Sequence, residues 1–513
     1  MPRSPWPIPA SWKWLCIGEI CRVVGGGTPD TKVPQNFSDT GFPWITPADL
    51  SGYRLKFVGR GERSLSERGR ATSSVQELPA GAVLFSSRAP IGYVAIAENP
   101  LTTNQGFKSF VPPVGITPDY LYYFLKYARP LALELASGTT FPEVSAKRVA
   151  QLPLCIPPTN EQRRIVAKID ELFSDLDAGV AALQRAKAKL ARYRAAVLKS
   201  AVEGRLTAGW RAAHPNTEPA SDLLARILTE RRRRWEEDQL ARYAAANRQP
   251  PKGWREKYRE PEGPDTENLP ALPESWCWAT MDQVMSYLRN GLPPKPSPEP
   301  PGFRILRINA VRPMSVDLDE VRFLDWPKQD VEPYLVNSGD LLFTRYNGSV
   351  DLLGVAGMVR ECHEPTLHPD KLIRVQFVFP QMAAFMEIAA NVGASRTHMV
   401  SRARTTAGQT GISGTDIRQM PVPLPPLDEQ AAIVEAAEQV VSVIERSVAI
   451  VEPNLRRASR LRQSILRRAF EGRLVPQDPT DEPAEELLAR IKSERKEQAA
   501  TNGKVRKSRK ART

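Results

Sequence analysis

Cysteine and histidine are scarce in this chain: its 513 residues include five cysteines and four histidines. Cys16, Cys21, Cys155, Cys277 and Cys362 are odd in number and scattered, which argues against a disulfide framework and fits a reducing compartment. No run of about eighteen apolar residues occurs, and the N-terminal MPRSPWPIPASW lacks the apolar centre of a secretion signal. A cytoplasmic protein with no membrane partner is expected.

The usual signatures of catalysis are missing too. There is no phosphate-cradling GxxxxGKS/T and no GxGxxG after a strand; Gly25–Gly27 read as a loop before Thr28 and Pro29. An adenine methyltransferase would carry an Asn/Asp-Pro-Pro-aromatic tetrapeptide. Here the Pro-Pro pairs are followed by Val114, Thr159, Lys252, Lys295, Gly302 and Leu427. Cys362, His363 and His368 lie close enough in sequence for a metal site, but no second ligand pair accompanies them. Asp370 and Lys371 read either as the start of a nuclease carboxylate cluster or as a loop salt bridge. The expectation is a chain with no active site and no metal; a stand-alone enzyme with an unfamiliar site is the least favoured reading.

What the chain has in quantity is positive charge. A formal net charge of +13 favours a polyanionic partner, nucleic acid before membrane. The length exceeds a single core and suggests three or four domains. One stretch also occurs twice. Residues 151–206 begin QLPLCIPPTNEQRRIV and end LKSAVEGRL, and residues 419–474 begin QMPVPLPPLDEQAAIV and end LRRAFEGRL. At one constant offset, Pro153, Pro157, Pro158, Glu161, Gln162, Ile165 and Val166 fall on Pro421, Pro425, Pro426, Glu429, Gln430, Ile433 and Val434. Glu203–Leu206 fall on Glu471–Leu474. The period is too long for a solenoid, so one large unit is duplicated in tandem.

Each copy opens with prolines that cannot be helical. Thr159 or Asn160, and Asp428 in the second copy, then cap a helix whose first turn holds Glu161 or Glu429. Ile169, Leu176, Leu183, Leu190 and Val197 recur every seventh residue, which predicts a long helix with a coiled-coil seam. Ala437, Ile444, Val451, Ala458 and Ile465 form the second seam, with a kink expected at Pro453. Gly204 and Gly472 stand where a glycine stops a helix. Each rod should run roughly 60–65 Å.

Around these helices the sequence alternates between globular and charged segments. FPWIT, AVLFSS and YVAIA within 1–150 are β-type runs between turn signals, followed by a helical pattern over 119–136 broken by Pro130. LPESWCWATMDQV at 272–284 echoes IPASWKWLCIGEI at 8–20, and GDLLFTR at 339–345 echoes GAVLFSS plus Arg88. Between the copies, DLLARILTERRRRWEEDQLARY reads as a charged helix ahead of an extended linker. The run Arg231–Arg234 reads either as a phosphate grip or as a solvated face balanced by Glu236, Glu237 and Asp238. EPAEELLARI at 482–491 repeats EPASDLLARI at 218–227, and the basic end GKVRKSRKART should be disordered.

Two divergent α+β domains, each followed by a PLPPxxEQ-type lead into a long helix, resemble the specificity subunit of a type I restriction–modification enzyme. The residues that carry the likeness are Pro153, Pro157, Pro158, Glu161, Gln162 and Glu203–Leu206, with Pro421, Pro425, Pro426, Glu429, Gln430 and Glu471–Leu474. The SW-W pairs at 11–14 and 275–278 and GGGTP at 25–29 add to it. The resemblance implies an α+β fold with an internal pseudo-two-fold repeat. Two target-recognition domains, 1–158 and 271–426, would be separated by two long antiparallel coiled-coil helices, 159–206 and 427–474. A charged helix and linker would occupy 207–270, and a helical then basic tail 475–513.

It also implies a division of labour. Each domain would read one half of a split site in double-stranded DNA, without catalysis. Two methyltransferase subunits would supply S-adenosylmethionine and methylate adenine N6, and two restriction subunits would use ATP and Mg. Docking would run through the helices and their lead-ins: Pro157, Glu161, Gln162, Ile169, Leu176, Leu183 and Leu190, with Pro425, Glu429, Gln430, Ile444, Val451 and Ile465. Half-sites on one face of DNA lie about 34–36 Å apart, within reach of such a rod. Base edges and phosphates call for Arg, Lys, Asn, Gln and Thr. The candidates are Thr28, Arg88, Asn104, Gln105, Lys108 and Thr140 in the first domain, and Arg307, Arg345, Asn347, Lys371, Arg396, Arg404 and Gln409 in the second. Trp12, Trp14, Trp44, Trp276 and Trp278 are assigned to packing ahead of base stacking. The alternative function is a coiled-coil scaffold whose globular ends bind proteins.

Overall fold

Each copy of the repeat pairs its first strand with its last. Lys13–Cys16 runs antiparallel to Pro153–Ile156, and Cys277–Thr280 runs antiparallel to Pro421–Leu424, with Lys13 opposite Ile156 and Cys277 opposite Leu424. The prolines that follow end the ladder, and a 44-residue helix begins directly after them: Thr159–Val202 in the first copy, Leu427–Phe470 in the second. At 1.5 Å per residue each spans about 65 Å. Pro453 lies inside the second helix without ending it. The computed structural model describes residues 4–138, 142–406 and 409–496.

The chain divides into two units, residues 1–184 with 452–513 and residues 185–451, so each unit holds part of both long helices. In the first unit a five-stranded sheet takes the order Arg22–Gly25, Lys108–Val111, Val83–Phe85, Val94–Ala97, Phe57–Val58. A three-stranded sheet places Phe37–Ile45 between Arg63–Leu65 and Thr102–Thr103. The helix Pro118–Tyr127, capped by Thr117, covers the larger sheet with Tyr120, Leu121 and Phe124. Pro130 falls in the first turn of the next helix, Arg129–Glu134, where its missing amide proton breaks no bond.

In the second unit a four-stranded sheet runs Met285–Asn290, Leu372–Phe377, Leu341–Thr344, Ala356–Met358. Beside it lies a three-stranded sheet of Val321–Leu324, Phe303–Leu306 and Thr366–Leu367. A smaller sheet is built from Tyr346–Asn347, Gln409–Gly411 and Arg404–Thr406. The helix Ala383–Asn391 covers this domain, and burying its Phe385, Met386 and Ile388 side chains removes apolar surface from water.

The long helices meet end to end within each unit. In the first, Ile165 and Ile169 share a buried cluster with Leu466, Ala469 and Phe470. In the second, Leu198, Ala201 and Val202 share one with Ile433 and Ala437. The start of one helix therefore lies beside the finish of the other, which is an antiparallel pairing. The repeated EPA…LLARI segments are docked as well. Ala220, Leu223 and Ile227 of the helix Ala220–Ala245 enter the second cluster. Leu487, Leu488 and Ile491 of a helix over 484–496 enter the first. Arg226 pairs with Glu218 in one copy as Arg490 pairs with Glu482 in the other.

Candidate nucleic-acid interface

A reader domain needs a fixed seat, and the EQ pair of the repeat provides it. In the first unit the Glu161 carboxylate, 1% exposed, accepts the Trp12 indole N–H at 2.9 Å and a bond from the Gln477 amide. Gln162 donates to the Pro157 and Gly115 carbonyls, each at 3.1 Å, and accepts from the Thr117 amide. In the second unit Glu429 accepts the Trp276 indole N–H at 2.8 Å, and Gln430 donates to the Pro425 carbonyl at 2.9 Å. Thr207 and Arg211 complete that seat at 2.7 Å each.

At the far end of each helix, Gly204 and Gly472 take φ of +71° and +69°. A Cβ there would stand 2.4 Å from Pro273 Cγ and 2.3 Å from Pro9 Cγ, so glycine is required for shape as well as conformation. The finish of one helix thus presses on the loop that leads to the SW-W strand seated on the other.

These contacts show where the expected docking residues lie. Pro157, Glu161, Gln162, Ile169, Pro425, Glu429, Gln430, Ile444 and Val451 are buried, and Leu176, Leu183, Leu190 and Ile465 are half-buried. Glu161, Gln162, Glu429 and Gln430 hold the chain's own domains, and Ile169 and Ile465 pack in the first unit's buried cluster. Elsewhere on the helices Tyr193 and Val443 are apolar and exposed. They lie off the seven-residue seam, so the periodicity of the sequence does not mark them.

In the first domain the candidates gather on one side. Gly27, next to Thr28, donates its amide to the Thr103 carbonyl at 2.9 Å and accepts the Trp44 indole N–H at 3.1 Å. This lays the 25–28 loop on the turn that carries Asn104 and Gln105, just ahead of the strand that begins at Lys108. The Thr28 hydroxyl is buried with no hydrogen-bond partner. Asn104 accepts from the Gly106 amide, and Gln105 is exposed. Arg88 and Lys108 flank Glu143 at 3.6 and 3.9 Å. Burial pushes the Lys108 ammonium below its ordinary value, and Arg88 adds to the effect against Glu143. Arg88, Asn104 and Glu143 line a cleft of about 860 Å³. Arg129 lines it too, and the sequence reading missed it; its one signal was Pro130, which starts a helix there. Thr140 lies outside the described residues.

The second domain collects only some of its candidates. Arg345, Asn347, Arg404 and Gln409 belong to or adjoin the small sheet, where Asn347 pairs with Thr410 and Thr406 with Gln409. Arg404 and Lys371 are exposed. The Arg345 amide bonds the Lys371 carbonyl at 2.8 Å, which brings Lys371 to the same place. The Arg345 guanidinium lies over the Tyr346 ring, and the Gln409 side chain lies outside the description. Arg307 and Arg396 are engaged by partners within the domain. Arg307 is paired with Glu320. Arg396 donates to the carbonyls of Val350, Asp351 and Leu353, and burial lowers its guanidinium from the ordinary value.

The remaining sequence features resolve into packing and pairing. Trp12, Trp44 and Trp276 are buried. Arg231 binds Asp282, Arg232 binds Glu236, and Arg233 and Arg234 both bind Glu230. His368 is buried against the Tyr334 carbonyl at 2.7 Å, and burial pushes its imidazolium down to about 4, while His363 pairs with Glu361 in solvent.

Two unlike α+β domains, each set on a long helix by the same Trp–Glu–Gln arrangement, define a duplicated recognition protein. The family profile "Type I restriction modification DNA specificity domain" matches residues 9–183. The type I restriction enzyme EcoKI specificity subunit of Escherichia coli is 31% identical over 516 residues, covering 97% of both chains. The StySPI specificity subunit of Salmonella potsdam is 27% identical and covers 98% of this chain and 99% of that one. A chain from a structure of type I R-M complex assembly and conformational transition superposes with a TM-score of 0.61 at 17% identity, covering 92% of this chain and 100% of that chain. The protein belongs to the family of type I restriction enzyme specificity subunits, non-catalytic subunits that supply DNA sequence specificity to a restriction–modification complex.

Proposed function

We propose that the protein reads a bipartite, asymmetric site in double-stranded DNA, one half per domain, with 1–158 and 271–426 as the two target-recognition domains. The first would read through Thr28, Arg88, Asn104, Gln105, Lys108 and Thr140. The second would read through Arg345, Asn347, Lys371, Arg404 and Gln409, with Arg307 and Arg396 shaping the domain. The observation that carries this is a contrast. Both seats set a tryptophan on a buried glutamate of the repeat, whereas the polar faces draw on different sets of side chains, as two readers of different sequences require.

Two methyltransferase subunits would dock on the outer faces of the helices, one around the exposed Tyr193 and one around its repeat equivalent Leu461, and bring S-adenosylmethionine for adenine N6 methylation. Two restriction subunits would add ATP- and Mg-dependent cleavage, all in the cytoplasm. Among the described residues no helix is long and apolar enough to cross a membrane. The test is a methylation map of cells with and without the chain. Loss of one bipartite adenine motif is expected, and replacing residues 1–158 by another reader should change one half of that motif. An unchanged map, or DNA binding that ignores salt, would return the protein to a scaffold role.

A further inference from the structure

The seats fix each domain at the start of its helix, and an apolar cluster packs the domain's own helix against the long one, with Tyr120 and Phe124 against Ile165 and Ile169 in the first unit and Phe385 and Met386 against Ile433 and Ala437 in the second. A polar attachment lies further along. Asp170 and Glu438 occupy equivalent positions of the repeat, nine residues past Glu161 and Glu429, or about 13 Å along the axis and on the opposite side of the helix. In the first unit Lys56 Nζ stands 2.9 Å from Asp170 and 3.0 Å from Asp119, and the Tyr123 hydroxyl also donates to Asp170. Asp119 and Tyr123 belong to the domain's helix Pro118–Tyr127. In the second unit Arg360 stands 2.8 Å from Glu387 of the helix Ala383–Asn391 and 3.6 Å from Glu438. Both units thus join an acid of the long helix to an acid of the domain's own helix through one cation.

The two cations are not copies of each other. Arg360 follows the strand Ala356–Met358, which pairs with Leu341–Thr344 of the GDLLFTR segment. Lys56 precedes Phe57–Val58, a strand on the far side of Val94–Ala97 from the GAVLFSS segment. The duplication changed the element that supplies the cation and kept the bridge at the same height on the helix. Apolar packing is non-directional, so it leaves the tilt of the domain adjustable where a directional ion pair at this height sets it.

We propose that Lys56 and Arg360 are positioning residues that fix the tilt of each reader on its helix and so narrow the range of half-site spacings the protein accepts. This rests on the bipartite reading above. Asp170 is 44% and Glu438 60% exposed, so each bridge is weak, as a tuning contact that leaves folding untouched must be.

The test uses the full chain assembled with its methyltransferase subunits, acting on duplexes with the natural gap and with gaps one base pair shorter and longer. Asp170→Asn with Glu438→Gln leaves Asp119 and Glu387 their cations. The expected result is natural-gap methylation held within about two-fold, while discrimination against the altered gaps falls about two- to five-fold per bridge. Asp170→Glu with Glu438→Asp should retain the discrimination, and Lys56→Met should relax it as Asp170→Asn does. Unchanged discrimination, or a parallel loss at every gap, overturns the proposal. If the unaltered complex directs no methylation at all, the bipartite reading falls and takes this one with it; unchanged discrimination in a complex that does methylate removes this one alone.

Discussion

In the first unit Glu161 is held by Trp12 and by Gln477, which belongs to the segment after the second long helix. In the second unit Glu429 is held by Trp276 and by Thr207 and Arg211, which belong to the segment after the first. Both carboxylates are buried at the same place in the repeat, yet one meets neutral donors and the other a guanidinium. The duplication therefore preserved the need for a buried acceptor under the tryptophan and left its remaining partners free to differ. It also preserved where those partners come from, since each helix finishes beside the other's start and its trailing segment reaches across.

The cover of each unit gives the largest test of this comparison. Leu487, Leu488 and Ile491 are 0%, 6% and 1% exposed in the first unit's core. Ending the chain after residue 474 removes them together with Gln477 and with Asp481, the partner of Arg164 at 2.6 Å. The expected loss is about 5 kcal/mol, borne by the first unit. Urea unfolding should split into two transitions, with the earlier one reporting Trp12 and Trp14. A single transition at the original midpoint would mean that the tail helix contributes nothing to this core.

A smaller effect is expected from Arg211→Met. Glu429 is fully buried and the Arg211 side chain 24% exposed, so truncating the cation strands a carboxylate whose other donors are Trp276 and Thr207. Solvent reaching the guanidinium moderates the loss, which should be about 2 kcal/mol in the second unit and none in the first. Equal destabilisation of both units in a chemical denaturation series would break the comparison.

The helices and their seats were legible in the sequence because their requirements are local. Prolines must precede the helix, glycine must end it, and Ile444, Val451 and Ala458 are buried along the expected seam. The docking of 220–227 and 484–491 was not legible, although the two segments are alike in sequence. Their first amides bond the carbonyls of Ser275 and Ser11, contacts that cross long stretches of chain. Nor does a sequence say which arginines are already engaged. Arg396 and Arg404 look alike as letters, but one is committed to three carbonyls of the 350–353 loop and the other is exposed. Trp12 and Glu161 each belong to a repeated motif, and the repetition of both in one order was an available sign that they meet.

The smallest expected effect is a matter of pH. Burial raises the Glu161 carboxyl above its ordinary value, against the bonds from Trp12 and Gln477 that favour the charged form. A carboxyl whose pKa is higher folded than unfolded binds its proton more tightly in the native state. The stability it contributes is complete below the unfolded value and is lost as pH rises through the folded one. The first unit should therefore weaken slightly as pH climbs just above the ordinary carboxylate range. In Glu161→Gln the amide oxygen still accepts from Trp12 and nothing titrates, so that part of the slope should vanish. Urea midpoints of the first unit, compared between pH 5 and 7 for both proteins, measure it. An identical slope in the two would assign the pH dependence to other groups and leave the Trp12 bond, not the charge, as what the seat requires.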